Sequence, residues 1–209
     1  MKLKKINPGL AKALEEAGLT KPTGLQEESF GTIKSGADCV LAADASQGKT
    51  TTIVIHVIQR LEKALEQSPR VLILVKDKAK VLEMQELFRK YGTYTDLRVY
   101  GVYEQADMDY DKNQISVGID VLVGTPVRLN EMFGSAGFDV NRLKMFIVDD
   151  TEILLKNRLE PKIARLSNSI SRTQRLFFTD IITERVELLA DKLMAEPLFL
   201  EMDDEDTDA

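Results

Sequence analysis

The segment from Ala43 to Thr50 has the residue types of a loop that binds phosphate. It reads Ala43-Asp-Ala-Ser-Gln-Gly-Lys-Thr50 and lies between a predicted strand and a predicted helix. Backbone N–H groups at such a helix start point toward an anion, a lysine reaches the terminal phosphates and a hydroxyl binds Mg²⁺. Gly48, Lys49 and Thr50 are therefore candidates for these roles. Ala43 replaces the first glycine of the strict pattern G-x-x-x-x-G-K-[ST], so these residues alone leave nucleotide binding open.

Two carboxylates follow an apolar segment near residue 150. The predicted strand that ends at Val148 places Asp149 and Asp150 at its C-terminal end, where ligands bind in open α/β sheets. One such carboxylate can hold Mg²⁺ and its neighbour can orient an attacking water. Alternatively, Asp150 or Thr151 simply caps the next helix. The phosphate-loop candidate upstream favours the metal site.

Both segments need a sheet that brings their strand ends together. Short β-branched apolar segments alternate with segments of helical period, which predicts an α/β fold with a mostly parallel sheet and helices on both faces. The predicted strands are Cys39–Ala43, Val71–Val75, Leu97–Val102, Val121–Val123, Lys144–Val148, Arg175–Phe178 and Leu198–Leu200. The predicted helices are Pro8–Ala17, Lys49–Leu65, Ala79–Tyr91, Pro126–Met132, Leu159–Ile170 and Ile182–Ala195.

The composition is typical of a globular chain. It has 209 residues, 44% hydrophobic and 30% charged, enough for the core of one large domain. Its apolar runs stay far below the roughly 20 residues that a membrane span needs. Cys39 has no second cysteine to pair with, and the N-terminus lacks the apolar core of a secretory signal. We therefore expect a cytoplasmic chain without a membrane partner.

The net charge of −6 comes from one end of the chain. Residues 201–209 hold six of the 34 acidic residues, which leaves 28 acidic and 28 basic residues in 1–200. This pattern predicts one folded domain over 1–200 and an acidic, disordered tail over 201–209. A tail that competes with nucleic acid for a basic groove is the alternative.

A third motif gives the chain a family resemblance. Gly18-Leu-Thr-Lys-Pro-Thr-Gly-Leu-Gln26 resembles the Q motif of DEAD-box RNA helicases, G-x-x-x-P-T-x-x-Q, and from about Ile6 to Leu200 the chain is similar to their N-terminal RecA-like ATPase domain. The family's phosphate loop reads A-x-x-G-x-G-K-T, so Ala43 agrees with it and Ser46 replaces a glycine. The resemblance implies a RecA-like P-loop NTPase fold that binds ATP and Mg²⁺. The resemblance implies that Gln26 recognises adenine and that Thr50 and Asp149 bind the metal. It implies that the phosphates are bound by Ser46, Gly48, Lys49 and Thr50.

The same resemblance implies RNA contacts. Gly124-Thr-Pro-Val-Arg128 is similar to the family's T-P-G-R element, which binds the RNA backbone. The resemblance therefore implies that Thr125 and Arg128 contact RNA. Gly101 stands for the family's paired glycines. In place of the P-T-R-E-L element the chain has Lys76-Asp-Lys-Ala-Lys80, with Lys78 as the candidate RNA contact. A solvated helix start is an equally good interpretation of these lysines.

Other positions depart from the family pattern in ways that affect hydrolysis. Asp149-Asp-Thr-Glu152 stands where the family has D-E-A-D, so the catalytic glutamate becomes Asp150. Its side chain is about 1.5 Å shorter, and misplacement of about 1 Å can lower a rate about 100-fold. The family's S-A-T element is Thr179-Asp-Ile181: Thr179 can bond Glu152, but Asp180 adds a carboxylate that would repel it. We expect weak hydrolysis, with Asp150 as the catalytic candidate and Glu152 and Thr179 coupling the motifs.

The resemblance also implies a second RecA-like domain, because family members use arginines from that domain in phosphoryl transfer. Alone, this chain is not expected to unwind RNA. Two alternatives remain open: a degenerate pseudo-helicase that serves as a protein-interaction scaffold, and a domain that works only when a partner chain completes the cleft. The lone histidine, His56, lies in a predicted helix and is expected to be structural.

Overall fold

Seven parallel strands form one sheet across residues 3–65 and 67–202, the part of the chain that the computed structural model describes. They are β1 (Cys39–Ala42), β2 (Val71–Leu74), β3 (Val99–Val102), β4 (Val121–Gly124), β5 (Met145–Val148), β6 (Gln174–Thr179) and β7 (Leu198–Glu201). Their order is β3-β4-β2-β5-β6-β1-β7, and neighbouring strands run parallel. All the predicted strands are confirmed, with bounds that differ by one or two residues.

Helices connect the strands and cover the sheet. They are α1 (Pro8–Glu16), α2 (Gly24–Ser35), α3 (Lys49–Leu61), α4 (Lys78–Tyr91), α5 (Met108–Ser116), α6 (Pro126–Gly134), α7 (Thr151–Lys156), α8 (Glu160–Asn168) and α9 (Glu184–Leu193). The prediction omits three helices of the described chain, α2, α5 and α7. The first two are rich in polar residues and the third has only six, so apolar periodicity, which is the main sequence signal for a helix, is weak in them.

Side chains of the buried strands alternate between two cores, one on each face of the sheet. In β2, Val71 and Ile73 pack with α1 to α4, whereas Leu72 and Leu74 pack with α5 to α9. This alternation follows from the two-residue period of a strand, and burial on both faces is typical of parallel sheets. The predicted α/β fold with helices on both faces is therefore confirmed.

Two predicted bounds need correction at the ends of elements. The helix predicted over Lys49–Leu65 ends at Leu61, because Glu62 takes a positive φ (62°) that does not continue a right-handed helix. The final strand runs to Glu201, and the Met202 N–H donates to Ala42 O at 2.9 Å. The predicted tail therefore begins with a strand residue, and residues 203–209 lie outside the described part. None of the helices in the described part of the chain combines the length and the apolar character that a membrane span requires.

His56 is a buried histidine in α3, as expected for a structural residue. Its side chain is 3% exposed, Ser29 Oγ lies 3.3 Å from its Nε2, and its ring packs on Phe30 with centroids 5.5 Å apart. Burial lowers the pKa of His56 from 6.5 to about 3, because the interior disfavours the charged imidazolium. The folded chain therefore holds this ring in its neutral form.

Replacing His56 with Gln should flatten the acid dependence of stability. Because folding lowers the pKa of His56, the unfolded chain takes up a proton below about pH 6.5 while the folded chain does not. The free energy of unfolding therefore falls as pH drops from about 6.5 toward about 3. Between about pH 7 and pH 5, the parent chain should lose about 2 kcal/mol more unfolding free energy than His56→Gln. Urea titrations of both proteins at each pH measure the difference, and parallel pH profiles would contradict the buried neutral ring.

Candidate functional site

The C-terminal ends of four neighbouring strands, β2, β5, β6 and β1, border one cleft of about 280 Å³. We call it the charged cleft and define it by its lysines and aspartates. Because parallel strands end at the same edge of a sheet, segments far apart in the chain meet there. The defining residues are Lys49, Lys76, Lys80, Asp149, Asp150 and Asp180.

The predicted phosphate loop forms one wall of this cleft. Asp44 caps a short 3₁₀ helix, Ala45–Gln47, and its carboxylate accepts from the Ser46 N–H at 2.8 Å. Gly48 then turns the chain into α3 with φ 70° and ψ 44°, a conformation that glycine adopts without steric cost. The Ser46 N–H is therefore engaged within the loop, so the predicted contact of this residue with phosphate requires the Asp44 bond to open.

Lys49 is predicted to bind phosphate, and in this structure its ammonium group pairs with a carboxylate. Its side chain is 6% exposed, and Nζ donates to Ala43 O at 2.6 Å and to Asp180 Oδ1 at 2.5 Å. Asp180 remains 54% exposed in its side chain. Asp180 thus occupies the position that an anionic ligand of Lys49 would take.

The segment at Gln26 is attached directly to the phosphate loop. Thr23 Oγ1 donates to Gln47 O at 2.9 Å, while the Thr23 N–H donates to Gln26 Oε1 at 3.1 Å. Gln26 is 4% exposed, and its Nε2 is 3.6 Å from where a Cβ on Gly48 would stand. The structure therefore brings Gln26 and Gly48 together, while adenine recognition by Gln26 stays a prediction.

Asp149 is buried at the base of the cleft and pairs with the other predicted metal ligand. Thr50 Oγ1 donates to Asp149 Oδ2 at 3.4 Å, and the Asp150 N–H donates to Oδ1 at 3.0 Å. Burial, followed by the charge of Asp150, raises the pKa of Asp149 from 3.8 to about 6. A hydroxyl and a carboxylate are hard oxygen ligands, so this pair fits Mg²⁺.

Asp150 projects toward Lys76 from an unusual backbone conformation. Its φ of 48° and ψ of 46° lie in the left-handed region, and its Oδ2 is 3.1 Å from Lys76 Nζ. The hydrogen bond with Asp150 holds the pKa of Lys76 above its usual value. Asp150 is the N-cap residue of α7, as the alternative interpretation expects, but within the described structure its side chain makes no capping hydrogen bond to this helix.

The predicted contact between Thr179 and Glu152 is present, since Thr179 Oγ1 donates to Glu152 Oε2. Oxygens of Asp150, Glu152 and Asp180 lie within 4.8 Å of one another, so the expected repulsion between acidic groups is built into the site. The ion pairs with Lys49 and Lys76 offset it.

Among the predicted RNA contacts, Lys78 and Gly101 lie away from the charged cleft. Lys78 is exposed, with Nζ 4.7 Å above the centre of the Tyr103 ring. At Gly101, a Cβ would stand 2.4 Å from Gln85 Oε1 and 2.5 Å from a methyl of Val81, so β3 approaches α4 closely there. Packing is therefore sufficient to explain this glycine.

Thr125 and Arg128 are buried in the structure. Thr125 caps α6 by accepting from the Arg128 N–H at 3.3 Å. The Arg128 side chain is 4% exposed, and its Nη2 donates to Asp111 Oδ2 at 2.8 Å and to Ala106 O at 2.7 Å. An RNA contact from Arg128 stays a prediction that requires the ion pair with Asp111 to open.

Lys76 and Lys80 enter the cleft, although the family resemblance connects their segment with RNA. Lys80 Nζ lies 3.9 Å from Asp149 Oδ2, and Lys76 pairs with Asp150. The order of strands explains the difference, because β2, which precedes these lysines, lies directly beside β5. The alternation of strands and helices along the chain does not indicate that β2 and β5 become neighbours in the sheet.

Comparisons with known proteins agree on one family. A DEAD/DEAH box helicase family model matches residues 23–187. An ATP-dependent RNA helicase eIF4A of Eremothecium gossypii is 25% identical over 199 residues, which cover 95% of this chain and 49% of that protein. A eukaryotic initiation factor 4A of Caenorhabditis elegans is 24% identical over 184 residues, covering 87% and 45% respectively. The chain spans about half the length of these relatives.

A solved structure shows the same fold. The crystal structure of a DEAD box protein from the hyperthermophile Methanococcus jannaschii matches with a TM-score of 0.89 at 18% identity, covering 95% of this chain and 55% of that chain. The predicted RecA-like α/β architecture is confirmed by this likeness.

Asp149→Asn should stabilise the ligand-free chain near neutral pH. Because folding raises the pKa of Asp149 to about 6, its neutral form stabilises the fold at low pH and this contribution is lost as pH rises through about 6. The substitution should raise the unfolding free energy by about 2 kcal/mol at about pH 7.5 and by much less at about pH 4.5. Urea unfolding at both pH values tests this, with Glu104→Gln as an exposed control. Equal effects at the two pH values would contradict it.

Proposed function

Because the chain belongs to the DEAD/DEAH box helicase family, we propose that it binds ATP with Mg²⁺ in the charged cleft, as the ATP-binding domain of an RNA helicase. The observation that carries the proposal is the contact between Thr50 and Asp149, which are 99 residues apart in the chain and 3.4 Å apart at their side-chain oxygens. Lys49 lies beside them in the same cleft. This is the set of groups that Mg²⁺ and terminal phosphates require.

Each residue then has a defined role. Lys49 leaves Asp180 to bind a terminal phosphate. Once the bond from the Ser46 N–H to Asp44 opens, the loop at Ser46 and Gly48 offers its N–H groups to the phosphates. Thr50 and Asp149 hold Mg²⁺, which neutralises phosphate charge when bound. Gln26 pairs with the edge of adenine through its amide, since one amide group both donates and accepts.

Hydrolysis by this chain is weak in the proposal, and RNA unwinding needs more than this domain. Asp150 is the group closest to a water-positioning role, but its carboxylate is engaged by Lys76 at 3.1 Å. A second RecA-like domain or a partner chain supplies the missing arginines and completes an RNA-binding surface with this one. The RNA contacts in this proposal are Lys78, Gly101, Thr125 and Arg128. The proposal also places the protein in the cytoplasm.

A protein-interaction scaffold is the competing function. It is favoured by the 2.5 Å ion pair between Lys49 and Asp180, which satisfies the phosphate-loop lysine without any ligand. A scaffold has no need for nucleotide, so the two functions differ in one measurable property, the stabilisation of the fold by Mg²⁺ and ATP.

Thermal unfolding with and without Mg²⁺-ATP tests the proposal. A ligand at about 100 times its dissociation constant adds about 2.7 kcal/mol to the stability of the folded state. We expect a rise in the melting temperature of the parent chain and none in Lys49→Ala, with each protein compared to its own ligand-free curve. Lys90 is an exposed lysine near the C-terminal end of α4, and Lys90→Ala is the control that should keep the rise in melting temperature. No rise in the parent chain at millimolar ATP would favour the scaffold.

Asp180→Asn should tighten ATP binding. In the ligand-free chain Lys49 must leave Asp180 before it binds phosphate, and a partly exposed ion pair contributes up to about 1 kcal/mol. Removing the charge should lower the dissociation constant roughly fivefold. Titration of a fluorescent ATP analogue measures this, with Asp191→Asn, an exposed aspartate of α9, as control. An unchanged or weaker affinity in Asp180→Asn would show that the pair does not compete with nucleotide.

A further inference from the structure

Lys76 and Lys80 bring additional positive charge to the carboxylates of the cleft. Lys76 Nζ is 3.1 Å from Asp150 Oδ2, and its side chain is 34% exposed. Lys80 Nζ is 3.9 Å from Asp149 Oδ2 and 3.2 Å from Glu83 Oε2, with the side chain 15% exposed. Each of the two aspartates at the end of β5 therefore has a lysine beside it.

The local structure explains why both lysines face the cleft. The Val75 N–H donates to Gly124 O at 3.0 Å, so the chain stays extended just past β2 and Lys76 emerges at the sheet edge. Asp77 caps α4 by accepting from the Lys80 N–H at 2.8 Å. Long side chains in the first turn of a helix point back toward its N-terminus, which here directs Lys80 to the strand ends.

Lys78 shows that this orientation is specific. It lies between the other two lysines in the chain, but its side chain extends over the Tyr103 ring, with Nζ 4.7 Å from the ring centre. The segment is therefore not a uniformly solvated run of lysines. Lys76 and Lys80 line the cleft that also contains Lys49 and Thr50.

The position of the two lysines matches an electrostatic role of Mg²⁺. A metal ion at a nucleotide site lies between protein carboxylates and phosphate oxygens and neutralises both. An ammonium group between a carboxylate and a phosphate does the same with one positive charge and three hydrogen-bond donors. Lys76 and Lys80 already place positive charge beside the carboxylates that would otherwise repel phosphates entering without a metal ion.

We propose that Lys76 and Lys80 link Asp150 and Asp149 to the terminal phosphates of a bound nucleotide, so that this chain retains nucleotide affinity without a divalent cation. The inference rests on the proposed function, because it requires that nucleotide binds in the charged cleft. It adds two phosphate-binding residues and predicts a low dependence on Mg²⁺. ATP and ADP, which both carry phosphates next to Lys49, are the ligands it concerns.

The test compares nucleotide affinity in Mg²⁺ and in EDTA for each protein. Dissociation constants of ATP and ADP are measured by isothermal titration calorimetry for the parent chain, Lys76→Ala, Lys80→Ala and the double variant. The ratio of the two constants within one protein cancels changes in overall stability or affinity. We expect EDTA to weaken binding by the parent chain less than about tenfold, and by the double variant more than about 100-fold. Lys90→Ala should keep the ratio of the parent chain.

Three results would overturn the inference. Parent binding that is lost in EDTA but strong in Mg²⁺ would refute it and leave the proposed function intact. An unchanged ratio in the double variant would show that other groups replace the metal ion. No binding in either buffer would refute both the inference and the proposed function. Urea unfolding of each variant confirms that the proteins compared are folded.

Discussion

Charge balance around the buried Lys49 and Asp149 of the charged cleft is the constraint on which the arrangement of the site depends. Lys49 is 6% exposed and Asp149 is 1% exposed, and a charged group so far from water is strongly destabilising unless an opposite charge or hydrogen bonds lie close to it. Among the described residues, three lysines and three aspartates meet this requirement in the cleft. The pairs Lys49 with Asp180 and Lys76 with Asp150 are therefore part of the folded structure before any ligand arrives.

The order of strands in the sheet makes this balance possible. Neighbours β2, β5, β6 and β1 end at one edge, and each is followed by a charged or phosphate-loop segment. Buried side chains of both faces fix the register of these strands, since a shift by one residue would move each apolar side chain to the opposite face. Packing far from the cleft therefore determines distances of about 3 Å within it.

Local patterns predict much of the fold and part of the site. The seven strands are predictable because each is a short apolar segment between polar ones, and Thr50 and Asp149 could be paired because both follow such strands. The helix at Gly24–Ser35 is stabilised by its capping box and by Gly36 with φ 93°. Many of its residues are polar, so apolar periodicity does not predict it. Ion pairs such as Arg128 with Asp111 depend on which helices become neighbours, and no sequence spacing gives that information.

The left-handed backbone of Asp150 has a consequence for which residues suit this position. Asp and Asn adopt this conformation more readily than most residues, whereas others are destabilised by about 1–2 kcal/mol. A glutamate would extend farther into the cleft but would fit this backbone less well. In this chain the short carboxylate suits the backbone of the turn, and the backbone conformation together with the side-chain length sets how far the carboxylate reaches into the cleft.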